Sequence, residues 1–154
     1  MNIKVVMIGK TNEAYVQQGL AIFQSRLKHY CKFEWNEIPV KKNMGTDEQV
    51  LITEAQQILK FVEKSDFLVL LDEKGKEFTS LKFSEWIEKH IATTGGNLIF
   101  VIGGAYGFHN SIDERANLKI ALSLMTFTHQ MVRLIFIEQL YRGFTIIKNE
   151  KYHH

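Results

Sequence analysis

The sequence predicts an α/β protein in which helices cover both faces of a mostly parallel sheet. Three observations support this fold class. Short apolar runs of strand length alternate with amphipathic runs of helix length, an order that gives parallel pairing. Two of the runs, residues 66–72 and 97–104, are apolar almost throughout, which is typical of strands covered on both faces. The 154 residues contain one proline and no Gly/Ser-rich linker, so we expect residues 1–154 to form a single domain.

The first third of the chain predicts two strands around one helix. The apolar run at 3–9 is the first strand. Thr11 or Asn12 is the expected N-cap of a helix whose apolar residues recur at spacings of three and four. Residues 33–40 alternate between apolar and polar side chains and predict a second strand. Pro39 ends that strand or places it near a sheet edge.

The middle of the chain predicts two further helices around the third strand. A polar loop at 41–45 leads to Thr46 and Gln49, which have the spacing of a capping box. After the third strand we expect a turn at Gly75 and then a helix over 80–91.

The last third begins with the fourth strand and continues with a short helical turn at 111–116 and a strand at 118–124. Residues 128–147 predict a long helix with Thr128 as its N-cap. That helix is apolar nearly all round, so it is buried on more than one side. Either it is the central helix of a monomer, or one face packs on a second subunit, and we expect a homodimer.

Composition excludes several classes of protein. The net charge of +2 permits a nucleic-acid partner but does not argue for one. Cys31 is the only cysteine, which suits a reducing cytoplasm, and we expect it to be structural. No apolar run approaches the ~20 residues of a membrane span, and the N-terminal run is too short for a signal peptide. The six histidines have no metal-ligand spacing, so we expect no metal.

Ligands of parallel sheets bind at the carboxyl ends of strands, which here means after Leu71, at Gly103–Gly104 and at 122–128. The glycines let a backbone approach a ligand closely, although a plain tight turn explains them as well. They match neither the dinucleotide fingerprint nor a P-loop. The third segment combines hydroxyl groups with apolar side chains that suit an adenine ring: Leu122, Ser123, Leu124, Met125, Thr126 and Phe127.

Polar groups also gather at the end of the chain. Glu138 and Arg142 are four residues apart on the last helix and can pair, which is either a functional feature or ordinary pairing at a helix surface. Tyr152, His153 and His154 offer a stacking ring and imidazole groups that can accept or donate a proton. The alternatives are a frayed terminus or a remnant of a purification tag.

Four blocks of the sequence resemble, in order, those of the SPOUT-class methyltransferases that modify N3 of a pseudouridine in bacterial large-subunit ribosomal RNA. The resemblance spans essentially the whole chain. The blocks are IKVVMIGK at 3–10, FVIGGAYGF at 100–108, ALSLMTFTHQMVRLIFIEQLYR at 121–142 and YHH at 152–154.

The resemblance implies an α/β/α sandwich with a C-terminal trefoil knot, a homodimer, and a reaction in which S-adenosylmethionine methylates 23S ribosomal RNA. Because a net charge of +2 is too small to hold naked RNA strongly through its phosphates, we expect the assembled ribosome to be a better substrate than free RNA. It implies cofactor contacts at Leu71, Gly103 and Gly104 and across Leu122 to Phe127, the strand ends selected above. It places Arg142, Tyr152 and His153 on the RNA side of the site, where His153 is our candidate base. His154 departs from the family, which often has Lys or Arg there. The alternatives are a SPOUT methyltransferase that acts on transfer RNA and a non-catalytic nucleotide-binding module.

Overall fold

The computed structural model describes residues 2–42 and 45–154, and these residues alternate between strands and helices. The strands are β1 (Asn2–Ile8), β2 (Lys32–Ile38), β3 (Phe67–Glu77), β4 (Leu98–Ile102) and β5 (Leu118–Ala121). The helices are α1 (Ala14–Leu27), α2 (Asp47–Leu59), α3 (Ser80–Thr93), α4 (Asn110–Arg115) and α5 (Met131–Ile147).

The strands form one sheet in the order β2-β1-β4-β3-β5, and every neighbouring pair is parallel. Successive side chains of a strand point to opposite faces. Val5, Val69 and Phe100 accordingly join a core that includes residues of α1, α3 and α5. Val6 and Leu70 join a second core that includes residues of α2 and α4. The predicted α/β/α sandwich is therefore confirmed.

Helix α5 is buried as its composition predicts. Phe136, Ile137, Leu140 and Phe144 lie in the first core. Gly19 allows α1 and α5 to pack closely, because a Cβ atom added at this position would lie 2.5 Å from the Leu134 side chain of α5. None of the helices among the described residues is long and apolar enough to cross a membrane.

The predicted start of α1 was wrong. Its N-cap is Glu13, and no side chain of its own caps it. The Thr11 hydroxyl donates instead to Glu37, while Oε1 of Gln130 accepts from the backbone N–H groups of Asn12 and Glu13. The backbone N–H groups just before α1 are thus satisfied by a side chain from the start of α5, which no local sequence pattern indicates.

The predicted turn at Gly75 was also wrong, since β3 continues through Gly75 to Glu77. An irregularity after Leu71 shifts the register, and the strand then pairs with β5 a second time, with Lys76 opposite Ile120. Only glycine fits, because a Cβ atom at Gly75 would lie 2.6 Å from the backbone N of Ile120.

Two other local predictions had different outcomes. The capping box of Thr46 and Gln49 at the start of α2 is confirmed. The N-cap of α5 is Gln130, not Thr128, although the Thr128 hydroxyl accepts a hydrogen bond from the Met131 N–H at 3.1 Å. Residues 43 and 44 of the predicted loop at 41–45 lie outside the described residues.

Candidate active site

A cleft with a volume of about 1030 Å³ lies at the carboxyl ends of β4 and β5 and beside the part of β3 just after Leu71, where the register of β3 shifts. These three strands are neighbours in the sheet, so residues 71–74 of β3 lie beside the segments that follow β4 and β5. Eight of the nine residues predicted to hold the cofactor line the cleft: Leu71, Gly103, Gly104, Leu122, Ser123, Met125, Thr126 and Phe127. The ninth, Leu124, does not line it and is 75% exposed.

The two glycines after β4 form the tight turn that the sequence allows, and they line the cleft as well. The Gly107 N–H donates to the Gly104 carbonyl at 3.3 Å, and Gly107 has a φ of 79°. A Cβ atom at Gly103 would lie 3.1 Å from the ring of Phe108. A larger residue there would press on that ring or enter the cleft.

A side-chain hydrogen bond holds the segment after β5 against the middle of β3. The Thr126 hydroxyl donates to Glu73 Oε2 at 3.1 Å. Within the segment, the Met125 N–H donates to the Ser123 hydroxyl at 3.0 Å. The hydroxyl groups of Ser123 and Thr126 therefore hold in place the segment that lines the cleft.

Carboxylates outnumber ammonium groups around the cleft. The lining includes four acidic residues, Glu13, Asp72, Glu73 and Asp113, and two lysines, Lys74 and Lys119. The Lys119 Nζ atom lies 2.7 Å from Asp113 and 3.8 Å from Asp72. The remaining acidic excess favours a cationic ligand and disfavours a phosphate.

A buried polar network anchors the start of α5, and sequence reasoning did not include it in the site. Arg133 is 1% exposed, and its guanidinium donates to the Ile8 carbonyl and to the Thr11 hydroxyl, each at 2.9 Å. Burial lowers the pKa of Arg133, and Glu37 at 3.9 Å opposes that shift. An arginine inside an apolar helix was the available signal, since a buried charge needs partners.

The three residues predicted as catalytic come together at the other end of α5. Arg142 donates to Glu138 Oε1 through Nε at 3.1 Å and Nη2 at 2.5 Å. The Tyr152 hydroxyl donates to the same oxygen at 3.0 Å, and Arg142 Nη1 lies 3.3 Å from His153 Nδ1. The Arg142 guanidinium also lies 4.8 Å from the centroid of the Tyr152 ring. We call these four residues the tail cluster.

Glu138 connects the tail cluster and sets its electrostatics. Its second oxygen accepts from the Gln139 side chain at 2.8 Å. Burial and the hydrogen bond to Glu138 raise the pKa of Tyr152, and the hydrogen bond to Glu138 raises the pKa of Arg142. The arginine therefore stays charged and the tyrosine stays a neutral donor at physiological pH.

The tail is docked on its own chain, which contradicts the frayed-terminus interpretation. The Tyr152 ring packs edge-on against Tyr141, with centroids 4.8 Å apart. The Tyr30 hydroxyl donates to Glu150 Oε2 at 2.6 Å, and the Glu150 N–H donates to the Thr145 carbonyl at 2.8 Å. These contacts come from α5 and from the segment that follows α1.

Within one chain, the tail cluster and the cleft are separate. Val132, near the start of α5, lines the cleft, whereas Arg142, Tyr152 and His153 do not. At a rise of ~1.5 Å per residue, Arg142 lies about 15 Å further along the helix. A reaction that uses both sets of residues therefore needs a second copy or a large movement. Among the described residues there is no group of three or more His, Cys, Asp or Glu that could hold a metal.

Comparisons with known proteins identify the family of this chain. The family model described as a predicted SPOUT methyltransferase matches residues 1–153. Proteins named ribosomal RNA large subunit methyltransferase H from Cytophaga hutchinsonii and Christiangramia forsetii are 53% and 54% identical, with 99% or more of each chain covered. A probable methylase family protein from Haemophilus influenzae has a similar fold, with a TM-score of 0.56 at 13% identity over 99% of this chain and 70% of that one. The chain therefore belongs to the SPOUT methyltransferase family, together with its relatives named ribosomal RNA large subunit methyltransferase H.

Proposed function

We propose that this protein uses S-adenosylmethionine to methylate N3 of a pseudouridine in 23S ribosomal RNA on the assembled ribosome. The names of the relatives and the resemblance of the four blocks support the RNA substrate. The observation that carries the cofactor assignment is the acidic cleft at three adjacent strand ends. S-adenosylmethionine has a sulfonium and an ammonium group, so it suits an acidic lining better than a phosphate-bearing nucleotide does.

The lining residues divide naturally between the two halves of such a ligand. Leu71, Leu122 and Phe127 would provide apolar walls for adenine, with backbone groups beside Gly103 fixing its orientation. The carboxylates of the lining would balance the positive charge of the methionine half. When bound, this group supplies an electrophilic methyl that needs little further activation.

We propose a homodimer in which the tail of one subunit completes the cleft of the other. The separation of about 15 Å along α5 supports this arrangement. So does the exposure of Leu124 and Met125 beside the cleft, since a second subunit would cover those apolar side chains.

In the completed site, this chain's residues position the pseudouridine and remove its proton. His153 accepts the N3 proton as the N3–methyl bond forms. Tyr152 orients the base, and Arg142 stabilises the negative charge that develops on a uracil oxygen. Holding donor and acceptor in line contributes much of the rate.

We also propose that residues 1–154 form one domain with a C-terminal trefoil knot, and that the enzyme works in the bacterial cytoplasm. The second pairing of β3 with β5 and the hydrogen bond from Thr126 to Glu73 support a chain that is tightly wrapped at the proposed knot.

Ligand binding tests the cofactor assignment. S-adenosylhomocysteine should raise the melting temperature and ATP or NAD should not. Stabilisation only by ATP or NAD would favour a non-catalytic nucleotide-binding module. Binding of S-adenosylhomocysteine with methyl transfer only to transfer RNA would favour the other SPOUT alternative.

Mixed dimers test the shared site. Gly103→Val should block the cleft and His153→Ala should disable the tail, so each homodimer should be inactive. A heterodimer of the two variants has one intact cleft facing one intact tail if the site is shared between subunits. It should then recover about half of the wild-type activity, since one of two sites works. Absence of recovery in a verified heterodimer would exclude completion by the partner's tail.

A further inference from the structure

We propose that a basic surface at the end of α1 and along the tail docks the phosphate backbone of the substrate RNA. We call it the α1–tail surface and define it by Arg26, Lys28, Lys32, Lys148 and Lys151, all of which are exposed. The proposal rests on the methyl transfer to RNA proposed above. It concerns how the RNA is held, because the tail cluster alone offers few positive charges.

The two segments that carry these residues form one continuous surface. The Arg26 guanidinium lies 5.5 Å from the centroid of the Tyr141 ring on α5. Tyr30, which follows α1, donates to Glu150 of the tail at 2.6 Å and packs on Tyr141 at 5.8 Å. These contacts therefore join the two segments that carry the cations.

Charge is concentrated on this surface. Residues 26–32 and 148–154 together contain five Lys or Arg side chains and one carboxylate, Glu150. Their net charge of +4 exceeds the +2 of the whole chain, so the remainder is net negative at −2. Glu150 already accepts a hydrogen bond from Tyr30. A clustered basic patch on a mildly charged protein is the expected footprint of a nucleic-acid site.

The position of the surface fits a docking role. It adjoins the tail cluster, since Tyr141 contacts both Arg26 and Tyr152. A pseudouridine held at the tail cluster would bring its neighbouring phosphates beside the basic side chains. Long, flexible lysines follow a backbone without reading its sequence. Sequence and shape selection would remain with the cleft, the tail cluster and the ribosome.

A triple variant tests the proposal without touching the tail cluster: Lys28→Ala/Lys148→Ala/Lys151→Ala. We expect KM for ribosomes that lack the methylation to rise at least tenfold near 0.1 M salt. The slope of log KM against log salt should fall by roughly 2 to 3, at about 0.7 to 0.9 per lost phosphate contact. At saturating ribosome, kcat should stay near the wild-type value, and so should the affinity for S-adenosylhomocysteine.

Two controls separate charge at this surface from charge in general. Lys60→Ala/Lys64→Ala/Lys89→Ala removes three exposed charges elsewhere and should leave KM unchanged. Lys28→Arg/Lys148→Arg/Lys151→Arg keeps the charges and should retain the low KM.

Several outcomes would overturn the proposal. One is an unchanged KM in the alanine variant, and another is an equal rise in KM in the Lys60 control. A third is dissociation of the alanine variant into monomers, which would make the surface a subunit interface. Ribosome pelleting gives a readout besides catalysis. If the wild-type protein pelleted but did not methylate, the proposed function would fail, while the comparison of variants would still test the surface.

Discussion

Removing the carboxylate of Glu138 should detach the tail residues from their working positions. In Glu138→Ala, the Nε and Nη2 atoms of Arg142 and the hydroxyl of Tyr152 lose their common acceptor. Arg142 would then be free to swing away from the Tyr152 ring. The cleft, about 15 Å distant along the helix, should be unaffected.

The structure sets the size of the effect. Hydrogen bonds to a charged group contribute about 1.5 to 3 kcal/mol when buried, whereas exposed ion pairs contribute about 0 to 1 kcal/mol. The side chains of Glu138 and Arg142 are 21% and 22% exposed, so we expect the energy of their contacts to lie between these limits. We take about 2 kcal/mol for the three contacts together, which corresponds to a change of roughly 30-fold in the equilibrium constant for docking of the tail. The other tail contacts, at Tyr30 and Tyr141, retain part of the docking.

The assay is methyl transfer to ribosomes that lack the modification, with kcat/KM as the readout. We expect kcat/KM to fall roughly 10- to 30-fold, in line with the estimated free energy of tail docking. The affinity for S-adenosylhomocysteine and the melting temperature should change little. The matched control is Glu85→Ala, which breaks the exposed pair of Glu85 with Lys82 at 2.8 Å and should leave kcat/KM unchanged. A Glu138→Ala enzyme with wild-type kcat/KM would refute the positioning role of this carboxylate.

Three further predictions concern stability and reactivity. Gly75→Ala should destabilise the protein by roughly 1 to 3 kcal/mol or more, since its Cβ meets rigid backbone, whereas Gly95→Ala has open space and should be close to neutral in a denaturant titration. Burial disfavours ionisation of Glu37, but hydrogen bonds from Thr11 and Trp35 and the charge of Arg133 outweigh burial and lower its pKa. The resulting stability is present above the unfolded pKa of about 4.3 and is lost as pH falls through the lowered folded value, so Glu37→Gln should flatten the acid limb of a stability–pH curve. Burial raises the pKa of the Cys31 thiol to about 11, so alkylation of the native protein at pH 8 should be much slower than that of an exposed cysteine. Equal alkylation rates in the native and denatured states would contradict this.

The parts of the site that the sequence predicted depend on local patterns. Leu71, Gly103 and Leu122 each lie at or just past the end of an apolar run, and parallel strands bring their carboxyl ends to one edge. Glu138 and Arg142 are paired because a helix places residues four apart on one face.

The parts that the sequence did not predict depend on distant partners. Gln130, more than a hundred residues away, accepts hydrogen bonds from the N–H groups of Asn12 and Glu13 just before α1, so the sequence wrongly favoured Thr11 and Asn12 as caps. Gly75 looked like a turn because its pairing with β5 depends on a second register. Leu124 follows residues that line the cleft, but its side chain points outward, and the backbone path after β5 decides that orientation.

The most direct test of the account is methyl transfer from labelled S-adenosylmethionine to 70S ribosomes that lack this modification, followed by identification of the labelled nucleoside. We expect label on N3 of one pseudouridine in 23S ribosomal RNA, and we expect assembled ribosomes to be a better substrate than deproteinised RNA. The proposed function would be contradicted if the enzyme bound S-adenosylhomocysteine and methylated transfer RNA but left the ribosomal RNA unlabelled.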